Sequence, residues 1–216
     1  MDLTIVYDNT VHKKNLGLKS DWGFSCLIET EEDTILFDTG AKGKILLNNM
    51  KKLGIKPSEI SKIVISHEHW DHNSGLESLY PLLKKDVEIY RFEKKQTKET
   101  KLFCVKEPLK IAENVYSTGR LSGDPVDEQS LILKCKKGWY VLVGCSHSGV
   151  KNIIKKAEEH GKIKGIIGGM HGFSEFDILE SLDLICPLHC TKYKKEINDK
   201  FYDKVIEGGV GLKLEL

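Results

Sequence analysis

Three histidines and an aspartate fall within six residues of this chain: His67, His69, Asp71 and His72 in SHEHWDHNSGL. Imidazole and carboxylate are donors for borderline and hard cations, suited to zinc, iron(II), manganese or nickel. The preceding run KIVIS (62–66) reads as a strand, and if the backbone stays extended for three more residues, its period of two sends His67 and His69 the same way. A turn follows, Asn73 or Ser74 is placed to cap a helix beginning near Gly75, and Asp71 and His72 arrive beside the first pair. Four ligating groups thus converge at one strand end. Three protein ligands per ion leave a position open for water, so four groups cannot complete two such sites. The natural completions are His147 in GCSHSGV and His189 in CPLHC, since each follows an apolar strand; the bland alternative for either is a hydrogen-bonded or exposed side chain. An ion so held lowers the pKa of bound water toward roughly 7, and a second ion about 3.5 to 4 Å away can hold a substrate or leaving oxygen.

The elements that must carry these residues appear as a rhythm of short apolar runs. LTIVY (3–7), FSCLIE (24–29), TILFD (34–38), KIVIS (62–66), VEIY (87–90), SLILK (130–134), WYVLVG (139–144), KGIIGG (164–169) and LKLEL (212–216) read as strands from their β-branched content and turn-residue boundaries. Helical spacing marks KILLNNMKKLG (44–54), SGLESLYPLLKK (74–85), GVKNIIKKAEEHG (149–161), SEFDILESL (174–182) and KYKKEINDKFYDKVIEG (192–208), with Gly54, Gly161 and Gly208 where C-terminal caps belong. The first 38 residues hold three strands and almost no helix, a meander pattern, whereas later strands alternate with helices, which predicts sheets with helices on their outer faces. The polar stretch FEKKQTKETK (92–101) reads as a solvated helix face or loop. GRLSGDPVDEQS (119–130) is the most loop-like segment, and beside a site it would carry substrate contacts.

Composition narrows the function classes. At 216 residues and 40% hydrophobic content the chain is expected to form a single domain, 1–216, with a sizeable core. A net charge of +1 from 33 basic and 32 acidic residues supplies no field for a nucleic acid or an anionic membrane, so nucleic acid is disfavoured as a partner and a small molecule favoured. The start, MDLTIVYDNT, has no basic-then-apolar run, and no stretch reaches the roughly 18 apolar residues that span a bilayer, so a cytoplasmic, non-membrane protein is expected. The six cysteines form no CxxC pair, which argues against a disulfide framework or an iron-sulfur cluster. Thirty-one lysines against two arginines, with only two glutamines, resemble hyperthermophile usage. The oligomeric state is left open.

HxHxDH (His67, His69, Asp71, His72), preceded by LFDTG with Asp38 and followed by GCSH and PLHC, resembles the metallo-β-lactamase superfamily across nearly the whole chain. More narrowly, DN at Asp8 and Asn9, GFSCLIE, ILFDTG, SHEHWDHNSGL, DEQSL, GCSHSGVKNII, GGMHGF and PLHCT resemble the branch containing 7,8-dihydropterin-6-yl-methyl-4-(β-D-ribofuranosyl)aminobenzene 5'-phosphate synthase. The resemblance implies a mixed α/β fold, a four-layer αββα sandwich with metals in a cleft at one edge of the two sheets. It implies that His67 and His69 bind a first metal, and that Asp71 and His72, completed by His189, bind a second. Asp38 would brace the histidine loop by hydrogen bonding, as outer partners of ligands do; otherwise it merely caps the turn at Thr39 and Gly40.

The chain departs from the wider superfamily where a bridging aspartate is expected, since the strand YVLVG ends in Cys145. The upstream VYSTGRLSGDP holds no histidine, which leaves His147 as the third ligand of the first metal. Cys145 either ligates as a thiolate or is an ordinary buried thiol; the thiol is favoured because thiolate is softer than the other donors. His171 in GGMHGF, beside Gly168 and Gly169, is either a proton donor or substrate contact, or a core histidine. Trp70 is either a stacking surface or a packed surface aromatic, Arg120 either a phosphate clamp or a surface arginine, and CxxxC at Cys186 and Cys190 is a weak ligand signal. The expected activity is metal-dependent hydrolysis, or related hydroxide transfer, on a small phosphorylated or ester-containing molecule, with two divalent transition-metal ions, zinc foremost and iron, manganese or nickel as alternatives. Asp71 would orient the nucleophile and His171 would serve as acid. The competing classes are a metal-binding sensor without turnover and, less favoured, a di-iron redox protein.

Overall fold

The expected meander opens the chain: β1 (Asp2–Tyr7), β2 (Ser25–Glu29) and β3 (Thr34–Phe37) pair antiparallel, with Leu3 opposite Ile28 and Leu27 opposite Leu36. The structure, a computed structural model, describes residues 1–12, 17–93 and 100–216. Its first compact unit comprises Met1–Lys106 and Gly209–Leu216. There helix α1 (Gly43–Leu53) leads to β4 (Lys62–Val64), and the short helices α2 (Trp70–Asn73) and α3 (Leu76–Leu79) lead to β5 (Glu88–Arg91) and β6 (Lys101–Cys104). β3, β4, β5 and β6 run parallel, and the returns from β3 to β4 and from β4 to β5 pass through helical crossovers and not hairpins. Their C-terminal ends therefore share one edge of the sheet, where Asp38 follows β3 and Ser66 and His67 follow β4.

α1 forms because its apolar positions recur at helical spacing, burying Leu46 and Met50 against Leu27, Leu36, Ile63 and Ile65 of the sheet. Each such side chain is worth roughly 1.5–3 kcal/mol when fully buried. Gly54 ends the helix as expected, in the left-handed region at φ 77°. Asn49, on the buried face, is tolerated because its amide donates to the Val6 and Lys19 carbonyls at 2.9 and 2.8 Å and accepts from the Lys19 N–H at 2.8 Å.

A smaller anchor closes the far end of this sheet. Asp33 accepts hydrogen bonds from Ser61 Oγ and Lys62 Nζ, both at 2.7 Å. Burial alone would raise the Asp33 carboxyl, but Lys62 and Ser61 bring it below its ordinary range. A folded-state pKa below the unfolded one stabilises above the unfolded value of about 4 and is lost as pH falls through the folded value. Asp33→Asn is therefore expected to cost about 1 kcal/mol at neutral pH and progressively less in acid. Urea unfolding at the two pH values checks it.

The second unit, Glu107–Gly208, carries a six-stranded sheet in the order β12-β11-β10-β9-β8-β7. β7 (Leu109–Ala112), β8 (Val115–Ser117), β9 (Leu131–Cys135) and β10 (Gly138–Val143) are antiparallel neighbours, whereas β10, β11 (Ile163–Gly169) and β12 (Leu184–Leu188) are parallel. Helix α4 (Val150–Ala157) crosses from β10 to β11, and a 3-10 helix, Phe176–Ser181, crosses from β11 to β12. Val150, Ile153, Ile154 and Ala157 of α4 pack with Val141, Val143, Ile166 and Ile185 of the sheet. Helix α5 (Lys194–Lys200) adds Ile197, and β13 (Lys213–Glu215) then pairs with β1 in the first sheet.

Several expected elements differ. The helix read over 74–85 stops at Leu79, because Pro81 lacks the N–H for a helical bond and Tyr80–Leu82 tighten into a 3-10 turn. Neither Asn73 nor Ser74 caps it; Gly75 is the N-cap of α3 and Asn73 donates to Glu68 instead. The helix read over 192–208 ends at Lys200, and Val205 bridges Ile185 in a short parallel pairing along β12. Gly208 is thus no cap: a Cβ there would lie 2.2 Å from Leu188 Cδ2. Gly161 is a turn residue beyond the true cap, Glu158. Segment 174–182 is 3-10 and not α-helical. β6, β7 and β8 were not expected from the sequence, being short and, in β6, largely exposed. Of the polar stretch 92–101, residues 94–99 lie outside the described residues. No helix among the described residues is long and apolar enough to cross a membrane.

Candidate metal centre

At the C-terminal ends of β3 and β4 a buried aspartate organises the histidine motif. Asp38 Oδ1 accepts the Ser66 N–H at 2.7 Å, and Oδ2 accepts Ser66 Oγ at 2.7 Å and bonds His72 Nδ1 at 2.6 Å. Asp38 sits at φ 58°, a conformation that aspartate tolerates better than most side chains. It braces the loop as the resemblance implied and does not merely cap a turn. Ser66 in turn bonds His67 Nδ1 at 2.9 Å, which fixes the ring and presents Nε2 as the outward nitrogen.

His67 and His69 do emerge on the same side. His67 Nε2 and His69 Nδ1 are 3.1 Å apart, with the rings edge-to-face at a centroid distance of 4.7 Å. A tetrahedral ion bound at about 2.0–2.1 Å holds two ligand nitrogens roughly 3.3 Å apart, so this spacing fits chelation. His72, tied through Nδ1, has Nε2 3.9 Å from Asp71 Oδ2, within the reach of two bonds of that length. The turn is pinned from behind: the Thr39 N–H and Oγ1 donate to the His72 carbonyl at 2.7 and 3.0 Å. Gly75 passes so near Thr39 that a Cβ would lie 2.0 Å from its carbonyl oxygen.

Glu68, between the first two ligands, points to the other side. It binds the Arg91 guanidinium through both carboxylate oxygens and accepts from Asn73 Nδ2 at 3.0 Å and the Glu93 N–H at 3.2 Å. Burial would raise its carboxyl, but Arg91 and these donors hold it below the usual range. Removing either partner would strand a largely buried charge. The sequence did signal this residue, because the alternation that aligns two histidines must aim Glu68 opposite; its partner on β5 was not legible.

In the second unit the C-terminal ends of three adjacent parallel strands carry the remaining candidates. Cys145, Ser146 and His147 follow β10, Met170 and His171 follow β11, and His189 and Cys190 follow β12. Ser146, His171 and His189 take φ values of 65°, 44° and 43°, so each strand ends in a tight reversal. Thr191 links two of these ends, its Oγ1 accepting the Met170 N–H at 2.9 Å while the Lys192 N–H donates to the His171 carbonyl at 2.8 Å. Gly169 permits a close backbone approach: a Cβ would lie 2.3 Å from the Gly144 oxygen and 2.7 Å from Cys190 Sγ. Ligand atoms of Cys145, His189 and Cys190 all lie within 4.8 Å of one another, so this cluster includes Cys190, for which the CxxxC spacing is only a weak signal.

The rings of His147 and His171 are 5.0 Å apart between centroids. Both line a cavity of about 460 Å³ with Ser146, Lys151, Met170 and Phe173. His171 is exposed, which removes the core-histidine reading. Ser148 is held from the loop-like segment: its N–H and Oγ both donate to Glu128 Oε1, at 2.8 and 2.7 Å. Burial pushes the Glu128 carboxyl above the usual range, against the donors of Ser148, His147 and Ser146. Trp70 is 58% exposed. Arg120 pairs with Asp127 at 2.6 Å, within the same loop. Cys26, Cys145 and Cys186 are buried, and Cys104 is exposed.

An αβ fold in which β3, β4, β10, β11 and β12 deliver histidines, aspartate and cysteine at their C-terminal ends defines a metallo-β-lactamase-type protein. The chain belongs to the metallo-β-lactamase superfamily, whose profile matches residues 23–157. An uncharacterised protein of Methanocaldococcus jannaschii is 28% identical over 97% of this chain and 98% of its own length. The 7,8-dihydropterin-6-methyl-4-(beta-D-ribofuranosyl)-aminobenzene-5'-phosphate synthase of the same organism is 25% identical over 82% of this chain and 83% of its own. A crystal structure described as a metal-dependent hydrolase of the β-lactamase superfamily superposes with a TM-score of 0.81 at 26% identity, covering 100% of this chain and 99% of that one. These likenesses bear out the expected fold class and the branch resemblance.

Proposed function

We propose that this protein is a metal-dependent hydrolase, or a related hydroxide-transfer enzyme, that holds two divalent transition-metal ions, zinc foremost, and acts on a small phosphorylated or ester-containing molecule. The observation that carries the reading is the pair His67 Nε2 and His69 Nδ1, 3.1 Å apart on a loop braced by buried Asp38. In this reading His67, His69 and His147 serve one ion, and Asp71, His72 and His189 the other. The set is argued without Cys145, whose thiolate is softer than imidazole and carboxylate. When bound, such ions supply a water acidified toward a pKa of about 7 and positive charge for a leaving oxygen.

The chain's own residues do the rest. Asp71 accepts a proton and aims the attacking water; His171, exposed at the cavity and beside His147, donates a proton to the departing oxygen. The cavity volume of about 460 Å³ falls in the range of small-molecule sites. Near-zero net charge supports a small substrate over a polyanion, whose recognition needs a run of basic contacts. The chain is expected to work in the cytoplasm.

The test is a screen of small phosphodiesters, lactones and thioesters with zinc, manganese and iron(II), beside single-stranded RNA and DNA. Turnover of a small ester is expected. Cleavage of the polymers alone would overturn the reading, and silence on everything would favour a metal sensor. Because a relative of 25% identity is named a synthase, the screen should also seek formation of the phosphorylated dihydropterin compound in that name.

A further inference from the structure

Glu128 presents a cost without an evident return. Its side chain is fully buried, no cation pairs with it among the described residues, and its Oε2 is buried with no hydrogen-bond partner among them. A buried carboxylate is expensive unless several donors face it. The donors here are concentrated in one place. Ser148 gives both its N–H and its hydroxyl to Oε1, at 2.8 and 2.7 Å, and the backbone N–H groups of His147 and Ser146 also face the carboxylate. Three successive N–H groups turned toward one anion form a nest, and the left-handed Ser146, at φ 65°, is the conformation that turns them inward.

We infer that Glu128 is the positioning residue of the His147 loop, an internal anion around which Ser146, His147 and Ser148 wrap so that the His147 imidazole is held in one orientation. The inference rests on the proposed role of His147 as a metal ligand. The surrounding geometry supports it from both sides. Glu128 is itself locked, exchanging backbone hydrogen bonds with Leu121 at 3.0 and 2.8 Å. The same 119–130 loop reaches over the His147 loop a second time, where the Asp124 N–H donates to the His147 carbonyl at 3.3 Å. Gly123 lies so close that a Cβ would stand 3.0 Å from the carbonyl carbon of His147 and 3.0 Å from the Ser148 nitrogen. On its other flank, Ser146 Oγ donates to the Gly169 carbonyl at 2.7 Å. The segment expected to carry substrate contacts is thus a clamp on a ligand loop. A neutral acceptor could bind Ser148 as well; a full negative charge is what favours three backbone N–H groups facing one carboxylate.

The test compares zinc affinity, by competition with a chromophoric chelator, across full-length Glu128→Gln, Glu128→Ala, Ser148→Ala and His147→Ala, with melting of each metal-free protein measured alongside. Glu128→Gln keeps the volume and one acceptor oxygen but removes the negative charge that the backbone N–H groups of residues 146–148 face. It is expected to weaken zinc binding about 10- to 100-fold, the usual effect of losing an outer partner of a ligand, while the metal-free protein still melts cooperatively. Glu128→Ala should be at least as weak, and Ser148→Ala intermediate. A buried-core variant, Ile166→Val, chosen to lower the metal-free melting point, should leave zinc affinity unchanged, which separates positioning from general destabilisation. If Glu128→Gln and Ser148→Ala bind zinc as tightly as the parent while His147→Ala binds it poorly, the positioning role is overturned and the ligand role of His147 stands. If His147→Ala also binds zinc normally, both fail together. If Glu128→Ala does not fold, Glu128→Gln and Ser148→Ala still decide the matter.

Discussion

Asp38→Ala is expected to lower stability by at least about 4 kcal/mol and to strip the histidine loop of its metal. Three interactions vanish at once in a fully buried setting: the Ser66 N–H at 2.7 Å, Ser66 Oγ at 2.7 Å and His72 Nδ1 at 2.6 Å all lose their acceptor. Each stranded donor costs about 1–3 kcal/mol, and alanine at φ 58° adds roughly 1–2 kcal/mol that aspartate largely avoids. The more informative partner is Asp38→Asn, which tolerates the same backbone and keeps one acceptor oxygen. Its stability cost should be smaller, about 1–2 kcal/mol. Metal affinity should nevertheless fall about 10- to 100-fold, because an amide NH₂ now meets either the His72 ring or the Ser66 donors. Urea unfolding of the metal-free proteins and chelator competition on the metal-loaded ones check the two effects separately. An Asp38→Asn protein that is less stable yet binds metal as the parent does would reduce Asp38 to a structural acid.

His67, His69, Asp71 and His72 were legible because ligand types crowded into six residues leave few harmless explanations, and a strand period of two fixes where the first pair points. Asp38 was legible only through resemblance, since its partners Ser66 and His72 lie 28 and 34 residues away. Glu128 was not legible: within DEQSL it is one acid beside another, and only the fold brings it to a loop 20 residues on. Cys190 was discounted for a related reason, as its nearness to Cys145 spans 45 residues and depends on β10 and β12 flanking β11. Local rules also misled where tertiary pairing prevailed. KVIEG continues a helical pattern from α5, yet Val205 pairs with Ile185 because an open edge beside β12 accepts β-branched residues better than solvent accepts another helical turn. Missing altogether from the sequence reading was backbone strain. Asp38, Ser146, His171 and His189 all have positive φ, and all stand just past the strands that carry the candidate site.

That clustering of strain implies that the scaffold over-determines the positions of these side chains, so ligand and catalytic roles should separate cleanly in single variants. His67→Ala is expected to lose metal and activity together. It removes Nε2 from the 3.1 Å pair with His69, and two-ligand chelation at that point is gone. Elemental analysis of the parent, purified without chelator, should give about two transition-metal ions per chain, and the variant clearly fewer, with turnover down at least about 10³-fold. His171→Gln should behave oppositely. The residue is exposed at the cavity, and its backbone is secured by the Lys192 N–H whatever the side chain, so the metal content should stay at the parent level. What falls is the chemical step, by about 10²–10⁴-fold if the imidazole delivers the proton to the leaving oxygen. The loss should show in kcat more than in KM and should shrink for substrates whose leaving group needs no protonation, because general acid assistance then has little to add. A His171→Gln protein with full activity on a poor leaving group would remove the general acid, and a parent protein saturated at one ion per chain would remove the two-metal arrangement on which both variants are read.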